Sequence, residues 1–440
     1  MKVLNVKYLG AQVGVLAEAR GGIVFEYDPV FLRSGHELSP LELPLGPGIR
    51  QRDSGGSMRL LGLFEDSLPD AWGTKIMTEW FQRHGTPEHA ITPLAKLAYI
   101  GARGMGALTY EPSQDPGDAS SGPLSLGQLY TSAEQADQGG PIDLNVLAAV
   151  GSSAGGARPK ALIALPEAPA APVLGGEGPM PPGYEPWLVK FSGRRDTTLG
   201  VMEEAYARMA RAAGIDLPET RLLATEHDGL QRQHFAVKRF DRSLSERIHH
   251  HTLAAMTHLL GGDLSYEMLL RATRRVTRDE GEVWRAYRRA AFNVLASNRD
   301  DHGKNHGFLY ENRQWRLGPA YDITFAGPQM LPERGMSMAG ERKNVGQAEL
   351  LKLAETEALD RHQATTIIEQ TREAVSRWRE FAVQSGVPEL KVGEVESVLN
   401  CCGGPKRGPL HPPLVADVKA TAMKVTKAAA DFGKGNPDVT

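Results

Sequence analysis

The chain has 440 residues, enough for two or three ordinary domains or one large two-lobed enzyme. Hydrophobic residues make up 41% of it, so a sizeable core can be buried and general disorder is excluded. A formal net charge of −3 gives no global reason to expect nucleic acid or membrane as a partner, while a local basic patch stays open.

The N-terminus, MKVLNVKYLGAQVGVL, lacks a continuous apolar run behind its charge and does not read as a signal peptide. No run of about 18 apolar residues follows anywhere, so no membrane-spanning helix is expected. Residues 1–110 begin with strand-like alternation at Val3, Leu4, Val6, Val13 and Val15. A Gly21-Gly22 turn then leads to Ile23, Val24 and Phe25, which together predict a small sheet. Phe64-Glu65-Asp66-Ser67-Leu68-Pro69-Asp70 follows, with Asp70 placed to cap a helix through Lys75, Ile76 and Trp80. Residues 97–110 read as a buried strand reached through a glycine-rich turn.

Residues 111–141, rich in Pro, Gly, Ser, Asp and Gln, have the composition of a surface linker. A second such tract, 166–186, separates the apolar runs 161–165 and 187–191. These predict two strands of one sheet joined by a long loop. Beyond 200 the period becomes helical. Glu203, Ala207 and Ala210 lie on a helix ending at Gly214, and helical periodicity returns at 252–276, 281–297 and 347–382. Adjacent Cys401 and Cys402 make a poor disulfide and suit a reducing cytoplasm. A redox or metal role is the sharper reading, two small buried apolar residues the plainer one. Glycines and prolines from 403 break structure before a final alanine-rich helix at 414–431. Strands first and helices later predict a two-lobed α+β enzyme.

The segment with most chemistry is Asn298-Arg299-Asp300-Asp301-His302-Gly303-Lys304-Asn305. Kinase catalytic loops carry an Arg-Asp pair and then an Asn five residues after the Asp, the spacing of Asp300 and Asn305. Asp300 can orient the hydroxyl of a substrate, Asn305 offers Mg²⁺ a neutral oxygen, and Lys304 can neutralise phosphate charge. An apolar hairpin, 308–317, then leads to Tyr321-Asp322-Ile323. Strand, turn, strand, Asp is how kinase-like folds place a metal-chelating carboxylate, and Mg²⁺ needs few of them. Upstream, Gly151 to Lys160 is a glycine-rich loop running into a strand. It is not a Walker A loop, and taken alone it is equally a plain turn. Lys190, ending the next strand, stands where a kinase holds the α/β-phosphates. Glu203 is its candidate ion-pair partner and Glu204 competes. Residues 234–242 form a strand that turns polar, as a hinge does. Its backbone could meet an adenine edge, with Phe240 either on the ring or in the core. His249, His250 and His251 point in different directions and are assigned no metal.

These segments resemble the HipA kinases over nearly the whole chain. The resemblance rests on Phe64 to Asp70, Ile100 to Tyr110, the Ser-Ala-Gly-Gly-Ala-Arg-Pro-Lys loop, Val189-Lys190, Lys238-Arg239-Phe240-Asp241-Arg242, residues 300–305 and Tyr321-Asp322-Ile323. It implies a protein-kinase-like fold with an N-terminal subdomain at 1–110, a linker at 111–141, an N-lobe at 142–242 and a helical C-lobe at 243–440. It further implies ATP and Mg²⁺ as cofactors and transfer to serine or threonine, an aminoacyl-tRNA synthetase being the substrate type. A HipB-like helix-turn-helix antitoxin would be the partner, binding operator DNA, and no membrane is involved. By position, Asp300 would be the catalytic base, and Asn305 and Asp322 the Mg²⁺ ligands. Gly155, Gly156, Ala157, Arg158, Pro159 and Lys160 would cover the phosphates, with Lys190, His302, Lys304 and Tyr321 also contacting the nucleotide. Lys238, Arg239 and Phe240 would form the adenine hinge. Ser153, or adjacent Ser152, would be autophosphorylated, and its added charge would repel the ATP phosphates. One departure stands out: relatives carry an acidic pair after His-Gln where this chain has His250-His251-Thr252-Leu253. Two other readings remain, a small-molecule kinase of the aminoglycoside or homoserine type and an inactive corepressor of an antitoxin.

Overall fold

Alternation in the first 30 residues produces strands whose inward side chains are Leu4, Val6, Val13, Leu16, Phe25 and Tyr27, all buried. The computed structural model describes residues 2–403 except 21, 53–57, 59, 115–122, 149, 151–155, 169–170, 177–179, 195, 228 and 244–245. Gly155, Ser152, Ser153, the side chains of Cys401 and Cys402, and the helix expected at 414–431 therefore lie outside the described residues.

The first sheet is antiparallel throughout, in the order Ile49–Gln51, Gly22–Tyr27, Ala11–Ala19, Val3–Tyr8, Leu108–Glu111. It packs on Phe64, Leu94 and Leu97 to form a core of its own. The strand expected over 97–110 is shorter than its apolar content suggested. Thr92 caps a helix, Pro93–Ile100, and only Leu108–Glu111 is extended. Pro93 in the first helical turn and Gly101 just past the end are the signals that favour helix there.

The second sheet runs Leu174–Gly175, Lys160–Pro166, Tyr184–Lys190, Leu230–Lys238, Thr220–His227. The tract 166–186 thus does join two neighbouring antiparallel strands, and their register sets Lys160 opposite Lys190. Two helices cover this sheet. One is Leu199–Ala212, followed by Gly214 at positive φ. The other, Leu126–Asp137, lies in the tract whose composition reads as a surface linker. Its Ser125 cap and the buried Leu129, Tyr130, Ala133 and Ala136 mark one apolar face that polar neighbours hide. Burying each large side chain on that face is worth about 1.5–3 kcal/mol, which outweighs the tract's weak intrinsic preference.

The C-terminal part is helical around a core built on Tyr266, Tyr287, Phe292 and Trp378. The helical period over 252–276 is broken in two. Leu253–Thr257 stops at His258 in the left-handed region, and Ser265 caps a restart at Tyr266–Thr277. A small sheet, His249–Thr252 with Gly307–Glu311 and Gln314–Leu317, carries the expected hairpin and ends just before Asp322. All of this belongs to one body, Met1–Cys402.

Candidate active site

Strand register and helix placement bring three charges together. Lys190 Nζ donates to Glu203 Oε2 at 2.7 Å and to Asp322 Oδ1. Glu203 lies on the helix Leu199–Ala212. Glu204 turns away to accept from Arg208 Nε at 2.7 Å, so of the two candidate partners Glu203 has Lys190. Burial would lower the Lys190 ammonium, but the charges of Asp322 and Glu203 overcome it and the net shift is upward. Burial would likewise raise Asp322, yet Lys190 and then Lys160 hold it well below the usual carboxylate range. Asp322 sits in the left-handed region at φ 53°, a conformation costly for a non-glycine residue. Tyr321 next to it is anchored, donating from its hydroxyl to Lys304 O at 2.6 Å.

Lys160 is buried below the glycine-rich segment. Gly156 has φ +92°, a conformation that favours glycine, and a Cβ there would crowd only the flexible end of Lys160. Burial lowers the Lys160 ammonium to about 8, with Asp322 opposing and Lys190 assisting the shift. Ala157 and Arg158 are exposed on the loop, and Pro159 O accepts from Phe191 N at 3.0 Å.

In the catalytic-loop segment, Asp300 is exposed, with His302 Nε2 3.6 Å from its Oδ1. Asn305 Nδ2 donates to Asp300 O at 2.7 Å and closes the turn, leaving Oδ1 as the oxygen open to a cation. Lys304 Nζ pairs with Asp70 Oδ1 at 2.6 Å. Asp301, which the spacing argument passed over, is fully buried. It accepts from Tyr266 Oη at 2.7 Å, Arg334 Nη1 at 3.0 Å and Gly335 N at 2.8 Å. Arg299 donates to the carbonyls of Pro332 at 2.6 Å and Lys343 at 3.1 Å. The two residues flanking Asp300 therefore pin the segment after Asp322 to the loop. Consecutive Asp residues were the only sequence signal for this.

At the expected hinge, the side chains of Lys238 and Arg239 are engaged elsewhere. Lys238 Nζ pairs with Glu185, and Arg239 clasps Asp241 at 2.8–2.9 Å in a buried pair. Their backbone N–H groups also have partners, Glu219 O and Pro186 O, each at 2.9 Å. Phe240 is half-buried and stacks on Tyr321, centroids 5.6 Å apart, with His250 edge-on at 5.4 Å. His251 and Thr252 bind Asp66. His251 Nδ1, Thr252 N and Thr252 Oγ1 each lie 2.7 Å from its carboxylate.

Asp70 begins the helix Ala71–Arg83 but makes no capping bond to it. Its Oδ2 accepts from Gly156 N at 2.8 Å instead. Asp70 thus holds the expected N-cap position, but its carboxylate goes to two charged or polar partners from elsewhere in the chain in place of a local N–H.

Two β-rich parts and a helical part, with a lysine–glutamate pair, an Asp-x-x-x-x-Asn turn and a second Asp, define a two-lobed, protein-kinase-like fold. Two family models match: the HipA N-terminal domain over residues 4–111 and the HipA-like C-terminal domain over residues 152–378. The chain belongs to the HipA family. It is 26% identical over 408 residues to the protein named "Putative kinase Y4mE" of Sinorhizobium fredii, covering 86% of this chain and 92% of that one. It is 28% identical over 209 residues to "Putative kinase Y4dM" of the same organism, covering 44% of this chain and only half of the relative's length. Among solved structures it is similar to that of the Shewanella oneidensis MR-1 HipA, HipB and operator DNA complex. There the TM-score is 0.66 and identity 18%, over 90% of this chain and 96% of the matched one, a likeness of fold.

Proposed function

We propose that this chain is an ATP-dependent serine/threonine protein kinase that restrains growth as the toxin of a toxin–antitoxin pair. The observation that carries the reading is the junction of Lys190, Glu203 and Asp322 in one charged cluster. Its members lie on a strand, a helix and a loop, and Asp322 and the 300–305 turn flank one hairpin. No helix among the described residues is long and apolar enough to cross a membrane.

In this reading Lys190, held by Glu203, contacts the α/β-phosphates, and buried Lys160 supplies a second positive charge beneath the glycine-rich segment. Asn305 Oδ1 and Asp322 are hard oxygen donors of the kind Mg²⁺ takes in small number, so the residues fit that ion. When bound, Mg²⁺ would neutralise charge between the phosphates. Asp322 would then exchange Lys190 for the cation, with Lys160 still near it as a positive charge. Asp300, exposed at the mouth, accepts the proton of the incoming hydroxyl. The new bond forms between that oxygen and the γ-phosphorus, the bond to the bridging oxygen breaks, and ADP leaves. The stacked Phe240 and Tyr321 give an apolar wall to receive the base.

The finer parts of the proposal follow from family membership. The protein substrate would be an aminoacyl-tRNA synthetase, Ser153 or Ser152 would be autophosphorylated, and a HipB-like antitoxin would join the chain in repressing its own operon. Incubating the purified protein with Mg-ATP tests the reading by mass spectrometry. Phosphate should appear on the 152–153 serines in wild type and be lost in Asp300→Asn. Label passing from ATP to small metabolites in a lysate, and not to protein, would overturn it.

A further inference from the structure

Asp70 belongs to the N-terminal subdomain, yet its two carboxylate oxygens reach two different parts of the site. Oδ2 accepts the Gly156 amide at 2.8 Å, and Oδ1 takes Lys304 Nζ at 2.6 Å. These partners lie 86 and 234 residues further along the chain. Two residues on, buried Trp72 reinforces the first link. Its N–H donates to Gly156 O at 3.2 Å and its indole Nε1 to Lys160 O at 2.9 Å. The start of this helix therefore grips both ends of the stretch from Gly156 to Lys160.

Subdomain adhesion alone does not account for this arrangement. Asp66, one turn earlier, already provides it with three bonds to His251 and Thr252. Asp70 instead forgoes the local cap and contributes to a cleft of about 280 Å³ bordered by Glu65, Pro69, Thr74, Lys96 and Lys304.

We propose, resting on the kinase reading above, that Asp70 is a positioning residue for phosphotransfer, tying the glycine-rich segment to the catalytic loop at a fixed separation. With Gly156 and Lys304 on one rigid carboxylate, the groups above and below a triphosphate cannot drift apart independently. Lys304, whose ammonium has three donors, can keep Asp70 while it turns another donor to the transferring phosphate. A misplacement on the order of 1 Å at such groups costs about a hundredfold in rate.

Asn and Ala at position 70 separate the two links. Asp70→Asn keeps an oxygen for the Gly156 amide but has no charge for Lys304. Asp70→Ala loses both. Expected for autophosphorylation is a kcat about tenfold lower with near-normal ATP KM in Asp70→Asn, and a kcat about a hundredfold lower with raised KM in Asp70→Ala. Asp66→Asn should lower the melting temperature without that split. Hydrogen exchange on the full chain without nucleotide should quicken across 156–160 by about tenfold or more in Asp70→Ala and little in Asp70→Asn. Unchanged exchange in both variants, or identical kinetic losses in Asn and Ala that merely track melting temperature, would overturn the proposal. The exchange arm reads the latch even if no phosphate is transferred, so a failed kinase reading is distinguishable from a failed latch.

Discussion

Replacing Arg334 with methionine tests how the catalytic loop is held. Arg334 and Asp301 form an ion pair with essentially no exposed side-chain surface. Nη1 donates to Asp301 Oδ2 at 3.0 Å and to the carbonyls of Asn298 at 3.0 Å and Asn293 at 3.2 Å, while Nη2 reaches Val294 O at 3.2 Å. Methionine fills much of the same volume but leaves a buried carboxylate with only Tyr266 Oη and Gly335 N as donors. Breaking one partner of a buried pair costs about 3–5 kcal/mol, a large share of the roughly 5–15 kcal/mol that holds a typical domain together. With a urea m-value of about 3 kcal/mol/M, the unfolding midpoint should fall by a little over 1 M at pH 7. Acid adds a second check. Burial raises the Asp301 carboxyl even with Arg334 opposing. A raised carboxyl favours the folded state below its unfolded pKa and loses that contribution as pH rises through the folded value. Without Arg334 the rise is larger, so the deficit against wild type should shrink between pH 7 and pH 5. Adding Asp301→Asn should restore most of the loss. A loss under about 1 kcal/mol at pH 7, or a deficit that grows on acidification, would refute the argument.

Lys160 gives a second pH dependence: because burial lowers its ammonium to about 8, affinity for Mg-ATP should weaken as pH rises through that value. Lys160→Met should bind about tenfold more weakly and lose that dependence, as equilibrium binding with a fluorescent ATP analogue would read. Glu203→Gln should cost about tenfold or more in kcat/KM while Glu204→Gln, whose partner is Arg208, stays within about twofold; equal losses would mean that the Lys190 pair is not what matters. Gly62→Ala would put a Cβ 1.8 Å from Ala255 O, a backbone atom, and should destabilise by about 1–3 kcal/mol; an unchanged melting temperature would refute that close approach.

The elements that sequence reading reaches are those whose evidence is local. Asp300 and Asn305 share one turn, the 308–317 hairpin shows its alternation, and Lys190 and Glu203 stand on consecutive elements, thirteen residues apart. What it misses depends on partners far along the chain. Nothing near Asp70 announces that Gly156 and Lys304 will take its carboxylate in place of the helix N–H groups. Nothing near Asp301 names Arg334 as its buried partner. The helix Leu126–Asp137 is missed for a different reason: its apolar face is four residues wide in a polar tract, and only the sheet it covers makes that face decisive. Lys238 and Arg239 illustrate a third limit. Their place at the end of a strand that turns polar is legible, but Glu185 and Asp241 claim the side chains.

The N-terminal subdomain is consequently part of the site's frame. Besides Asp66 and Asp70, its Gly104 and Gly106 carbonyls accept from Arg242 and Arg247, and the Gly106 amide donates to Asp241 Oδ2 at 2.9 Å. Asp241 is the same carboxylate that holds Arg239 just beyond the hinge strand. Burial would raise it, but Arg239 and Arg242 hold it far below the usual range, so it remains an anion that needs all of these donors. Three regions of the site, the hinge end, the glycine-rich segment and the catalytic loop, are thus each bonded to one segment or the other of residues 66–106. Removing the subdomain would uncover Asp241 at the hinge and free Gly156 and Lys304 together. The geometry that a simpler kinase obtains within its two lobes is shared here with a third piece. If the proposed kinase activity holds, a partner that shifts this piece relative to the lobes would act on phosphotransfer without touching nucleotide.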